Sequence, residues 1–235
     1  MLVKMIKTHI EKKYGIKQIT CDSFVKLKDI KVLEKKIKLL CSILKIEYKK
    51  FGKGLSSINL KKKLLIKKFE NEEGEEKTLG ETDSFQNLSI DISEEYFFTL
   101  CHEWAHHIDL YLKSYYYSNI RQRGFSEMCF KNGKCCKEKE ASYVKNIIIN
   151  MKKYYEEKNL IGYNKYEELF AIGFEIYIYS KLSQIENYGQ IGNFLDYGKG
   201  NKECVYIRNT QENNYIQEVI KNFDLLIEKM KEENI

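Results

Sequence analysis

The chain has four histidines, and three of them are His102, His106 and His107. His102 and His106 stand four apart with Glu103 behind the first, in the order His-Glu-x-x-His. On an α-helix, residues four apart lie on one face about a turn apart, so two imidazoles can reach one metal ion from the same side. Glu103 then points beside the metal, where a general base must lie to take a proton from an activated water. Phe97, Phe98, Leu100, Cys101, Trp104, Ala105, Ile108 and Leu112 make the stretch mostly apolar, so the spacing predicts a deeply buried helix running to about Tyr117. Two histidines facing each other in a core need a partner for their polar nitrogens, and a metal ion supplies one. The plainer alternative is a core helix whose histidines are satisfied by other side chains.

A catalytic zinc site takes three protein ligands and keeps one position open. His107 falls on the wrong face and His9 is isolated, so the third ligand is expected to be a carboxylate from another helix. Glu167 and Glu168 open a stretch in which Leu169, Phe170, Ala171 and Phe174 look buried. A carboxylate in that company needs a reason to be there. Glu168 is in phase with Ala171 and Glu175, close to the buried face. Glu167 reads as part of a capping box over residues 164–167.

The segment His102-Glu-Trp-Ala-His-His-Ile-Asp109, followed by Glu168-Leu-Phe-Ala-Ile-Gly-Phe-Glu-Ile-Tyr177, resembles the Glu-type zincin metallopeptidases. The nearest forms are the catalytic domain of anthrax lethal factor and the zincin-like domains of polyvalent proteins from phages and conjugative elements. The resemblance covers about residues 55–235. It implies a bound Zn2+ held by His102, His106 and Glu168, with Glu103 as general base. It further implies peptide hydrolysis of a peptide or protein substrate lying along a sheet edge. Tyr163 stands near the place of a catalytic tyrosine, although its spacing to Glu168 is two residues shorter than in lethal factor. Many zincins carry an acidic residue four positions past the ligand, where this chain has Ile172. That leaves Asp109 and Glu175 as candidates to hold a histidine ring by its second nitrogen. It also keeps open a catalytically inactive binding module built on the same fold.

The remaining elements must position these groups. Residues 1–13 read as a short helix, and residues 29–49 as a longer one carrying Ile30, Leu33, Ile37, Leu40, Cys41 and Leu44, ended by the glycines at 52 and 54. Strands are expected at residues 57–60, 64–69 and 87–92, the last with Leu88, Ile90 and Ile92 on one face. Ser93 caps the histidine helix. Residues 118–136 read as a loop holding Cys129, Cys135 and Cys136, whose spacing does not suit a second zinc site. Helices follow at 137–158 and 167–180, then a loop at 188–203, then a last helix from about Asn214. The fold class is α+β: a small twisted sheet packed on the histidine helix, with the Glu168 helix closing the site. A basic helical region, residues 1–55, precedes a zincin-like domain, residues 56–235.

Charge is uneven: residues 1–70 carry net +14 without arginine, and residues 71–235 net −8. Such a basic third suits an accessory protein of a mobile element that touches nucleic acid. The lack of arginine and interleaved aromatics argues against it. No apolar run has the length of a membrane span, and Lys4 and Lys7 interrupt the N-terminal apolar residues. Seven scattered cysteines fit a reducing, cytoplasmic setting better than a disulfide framework.

Overall fold

The computed structural model describes residues 2–62, 80–91, 97–117, 124–131, 139–159, 165–184 and 213–234. The expected strand at 64–69, the Ser93 cap, the loop at 188–203, Tyr163, Cys135 and Cys136 lie outside them. The architecture is α+β, and the chain divides into two compact units, Met1–Glu103 and Trp104–Ile235. No helix among the described residues is long and apolar enough to cross a membrane.

The first unit opens with α1 (Leu2–Tyr14), which buries Ile10 and Tyr14. It turns at Gly15, whose positive φ and close approach to the Lys49 carbonyl leave no room for a Cβ. Strand β1 (Ile19–Cys21) then leads to α2 (Leu27–Leu44). The face expected from the spacing is the buried one: Ile30, Leu33, Ile37, Leu40, Cys41 and Leu44. The helix nevertheless stops at Leu44, short of the expected end near residue 49. Lys45 adopts a left-handed conformation (φ 52), its amide donates to the Ser42 carbonyl, and the Ile46 amide donates to the Cys41 carbonyl at 3.0 Å. This is a Schellman end built without glycine, which the sequence pattern does not announce.

Three further strands complete a four-stranded sheet: β2 (Ser57–Lys61), β3 (Gly80–Thr82) and β4 (Asn87–Asp91), in the order β1-β2-β4-β3. The β1–β2 and β2–β4 pairs are parallel and β3–β4 is antiparallel. Strands β1 and β3 were not anticipated, being three residues long with no alternation to read. Because β1 pairs with β2, the first 55 residues contribute a strand to this sheet. Period-2 alternation gives the sheet two faces. Ile58, Leu60, Leu88 and Ile90 are buried on one. On the other, Thr20, Ser57, Asn59, Asn87 and Ser89 are joined by side-chain hydrogen bonds. Asp83 shapes the β3–β4 turn by accepting from the Phe85 and Asn87 amides at 2.9 Å each.

Helix α3 (Phe97–Tyr116) begins in the first unit and continues in the second. The second unit adds α4 (Phe125–Lys131), α5 (Lys139–Glu157), α6 (Tyr166–Ser183) and α7 (Asn214–Glu232). Helix α4 corrects the expected loop at 118–136. At seven residues it is too short to show a period, and tertiary contacts hold it: Phe125 lies against the Tyr116 and Tyr117 rings. Its Cys129 is buried. Helix α5 packs along α7, and α6 packs on α4, α5 and α7. Helix α6 is therefore buried on nearly all sides, with Phe170, Phe174 and Tyr177 gathered around Phe223 of α7. Each such side chain contributes about 1.5–3 kcal/mol on burial. Helix α7 begins where the sequence predicts, with the Asn213 side chain accepting from the Tyr215 amide at 2.9 Å. Its buried face is the expected Ile216, Val219, Ile220, Phe223, Leu226, Ile227 and Met230.

Candidate metal centre

Helix α3 is buried at Cys101, Glu103, Trp104, Ala105, His107, Ile108 and Asp109, and half-buried at His102, His106 and Leu110. The two histidines thus share the partly open stripe of an otherwise enclosed helix, one turn apart. His107 is fully buried on another face, with its ring 6.1 Å from that of Tyr111.

Glu168 is the third residue of α6. The N-cap of this helix is Lys165, without a side-chain cap bond. Asn164, the expected cap residue, lies outside the described residues, and Glu167 sits within the first turn of α6. Carboxylates at both positions complement the positive end of the helix dipole.

His102, His106 and Glu168 each offer one ligand atom, and the three atoms lie within 4.8 Å of one another. His106 Nε2 is 3.7 Å from Glu168 Oε1. Two ligands of one tetrahedral zinc ion, each about 2.0–2.1 Å from it, stand roughly 3.4 Å apart. The spacing and the donor set, two imidazoles and one carboxylate, therefore fit such an ion. Among the described residues this is the one His/Cys/Asp/Glu group with that spacing.

Glu103 is only 5% exposed. It meets the edge strand β3. Thr82 Oγ1 lies 2.9 Å from Glu103 Oε2 and 2.9 Å from the Glu103 carbonyl oxygen, with the hydroxyl donating. At Gly80, an added Cβ would fall 2.5 Å from Glu103 Cγ and 2.6 Å from Oε1. Neither Gly80 nor Thr82 was singled out from the sequence, because nothing in residues 80–82 marks a strand or a partner for Glu103.

Asp109 is 1% exposed, and its hydrogen-bond partner is a residue of α4. Ser126 donates its amide to Oδ1 and its hydroxyl to Oδ2, each at 2.7 Å. Gly124 approaches so closely that any Cβ would collide with Oδ2. Among the described residues, the hydrogen bonds to this carboxylate come from Ser126, and the structure brings Asp109 to α4 where an imidazole contact was expected. Burial pushes its carboxyl up to about 7, against the pull of the Ser126 donors and with a further push from Glu167 and Glu127. Glu175 lies half-buried two turns beyond Glu168 on the same side of α6. Tyr163 lies outside the described residues.

The chain matches no protein-family model, and comparisons with curated proteins and with solved structures found no match either.

Proposed function

We propose that this chain is a zinc-dependent peptidase of the Glu-type zincin kind, with His102, His106 and Glu168 holding the ion. The observation that carries the reading is the convergence of these three ligand atoms within 4.8 Å, drawn from two helices. The resemblance of both ligand-bearing segments to zincin motifs supports it independently. A bound zinc ion would supply Lewis-acid polarisation of the substrate carbonyl and acidify a nearby water. Glu103, adjacent in sequence to His102, acts as the general base: its carboxylate takes the proton of the attacking water and hands it to the leaving amine. Glu168, in the first turn of α6, would bring a negative charge that partly offsets that of the ion.

The test is metal content and peptide-library cleavage across three variants. His102→Ala and Glu168→Gln should each lose most bound zinc and all cleavage, because two remaining ligands do not hold the ion. Glu167→Gln should keep both. Full zinc occupancy in His102→Ala, measured by mass spectrometry under native conditions, overturns the assignment. Loss of metal in Glu167→Gln alone would shift the ligand to the neighbouring residue.

A further inference from the structure

The register of β3 places Gly80 opposite Ile90 and Thr82 opposite Leu88. Directly paired residues point to the same face, so Gly80 and Thr82 both belong to the apolar side of the sheet, and Glu81, between them, to the other. A hydroxyl on an apolar face is out of pattern and needs a partner. Thr82 finds it in Glu103, at 2.9 Å from both Oε2 and the carbonyl oxygen. A hydroxyl has one proton to donate, and an ionised carboxylate is the stronger acceptor. Two residues earlier, Gly80 lets the same side chain lie directly on the strand, where even a methyl group would fall 2.5 Å from Cγ. One residue supplies the donor and the other the space, and together they hold the Glu103 carboxylate against the strand.

We propose that Gly80 and Thr82 form a cradle on the edge strand that orients the Glu103 carboxylate for proton transfer, which makes Thr82 a positioning residue. The inference rests on the peptidase reading of Glu103. A general base works only when its oxygen is held in reach of the proton, and a misplacement of about 1 Å can cost roughly a hundredfold in rate. Two short residues of a three-residue strand have no large packing role of their own to explain this fit.

The experiment compares Thr82→Val, Thr82→Ser and Gly80→Ala with wild type. In metal-free protein, the carboxyl carbon resonance of Glu103, assigned by its loss in Glu103→Gln, should move in Thr82→Val and Gly80→Ala but stay in Thr82→Ser. In zinc-loaded protein, Thr82→Val should lower kcat by about tenfold to a hundredfold with KM, zinc content and melting temperature held. Thr82→Ser should restore most of the rate. In a Glu103→Gln background, Thr82→Val should cost nothing more, since the group it orients is gone. Wild-type kcat in Thr82→Val, or a loss that Thr82→Ser shares, overturns the cradle. Wild-type protein that binds zinc and cleaves no peptide overturns the peptidase reading instead, while the Glu103 resonance still reports whether Thr82 holds the carboxylate.

Discussion

Helix α3 carries two buried carboxylates, Glu103 and Asp109, and the chain encloses both with the same short pattern. At Glu103 it is Gly80 and Thr82; at Asp109 it is Gly124 and Ser126. In each case a glycine makes room and a hydroxyl two residues later donates. The difference is the backbone. Asp109 also receives the Ser126 amide from the first turn of α4, so both of its oxygens are fixed to a helix that follows in the chain. Glu103 lies on the edge strand of a sheet and is adjacent in sequence to a metal ligand. The same enclosure therefore serves a structural anchor in one place and, on the peptidase reading, a reactive group in the other.

The largest effect that tests this contrast is on turnover. Glu103→Gln is nearly isosteric and removes no metal ligand, so zinc should stay while turnover falls at least about a hundredfold. Asp109→Asn keeps an acceptor for the Ser126 amide and can donate to its hydroxyl, so turnover should stay within a few-fold of wild type. Steady-state kinetics on a verified peptide substrate decides this. Equal losses in the two variants would erase the distinction between base and anchor.

A smaller effect separates the glycines. In Gly124→Ala the new methyl meets a carboxylate already locked by two hydrogen bonds, so thermal melting should show a loss of about 1–3 kcal/mol. In Gly80→Ala it meets the Glu103 side chain, which has more freedom to turn aside. That change should cost less stability and more activity. The reverse ranking would mean that Glu103, not Asp109, is the structural carboxylate.

The parts of this arrangement that rest on helical period were legible in the sequence. The buried faces of α2 and α7, the end of α3 near residue 117 and the shared face of His102 and His106 all follow from residues recurring every three or four positions. Glu168 was legible because a carboxylate opens an apolar helix. What could not be read depends on contacts distant in sequence or on backbone shape. Strand β3 is three residues long, and its meaning comes from Glu103, more than twenty residues later. Helix α4 exists because Phe125 and Ser126 dock on Tyr116, Tyr117 and Asp109. The end of α2 depends on a lysine in a left-handed conformation, a role the sequence rules give to glycine or asparagine. Asp109 was expected beside an imidazole because its spacing from His106 puts it on a neighbouring part of α3. Spacing says nothing about what packs on that part from outside.

A last prediction is a pH dependence of stability set by the anchor. Burial raises the Asp109 carboxyl from its ordinary 3.8 to about 7; Ser126 pulls it down, while Glu167 of α6 and Glu127 of α4 push it up. An acid with a higher pKa in the folded chain than in the unfolded one holds its proton more tightly when folded. The stability this lends is fully present below about pH 4 and is lost as pH rises to about 7. Urea melts of metal-free protein between those limits should therefore show stability falling with pH. The Asp109 share is on the order of a few kcal/mol, at about 1.4 kcal/mol per pKa unit. Asp109→Asn has no proton to lose in this window, so its curve should be flatter and should converge on or cross that of wild type towards neutral pH. If the two curves run parallel, burial does not govern this carboxyl, and the tight enclosure by Gly124 and Ser126 must be sought in some other cause.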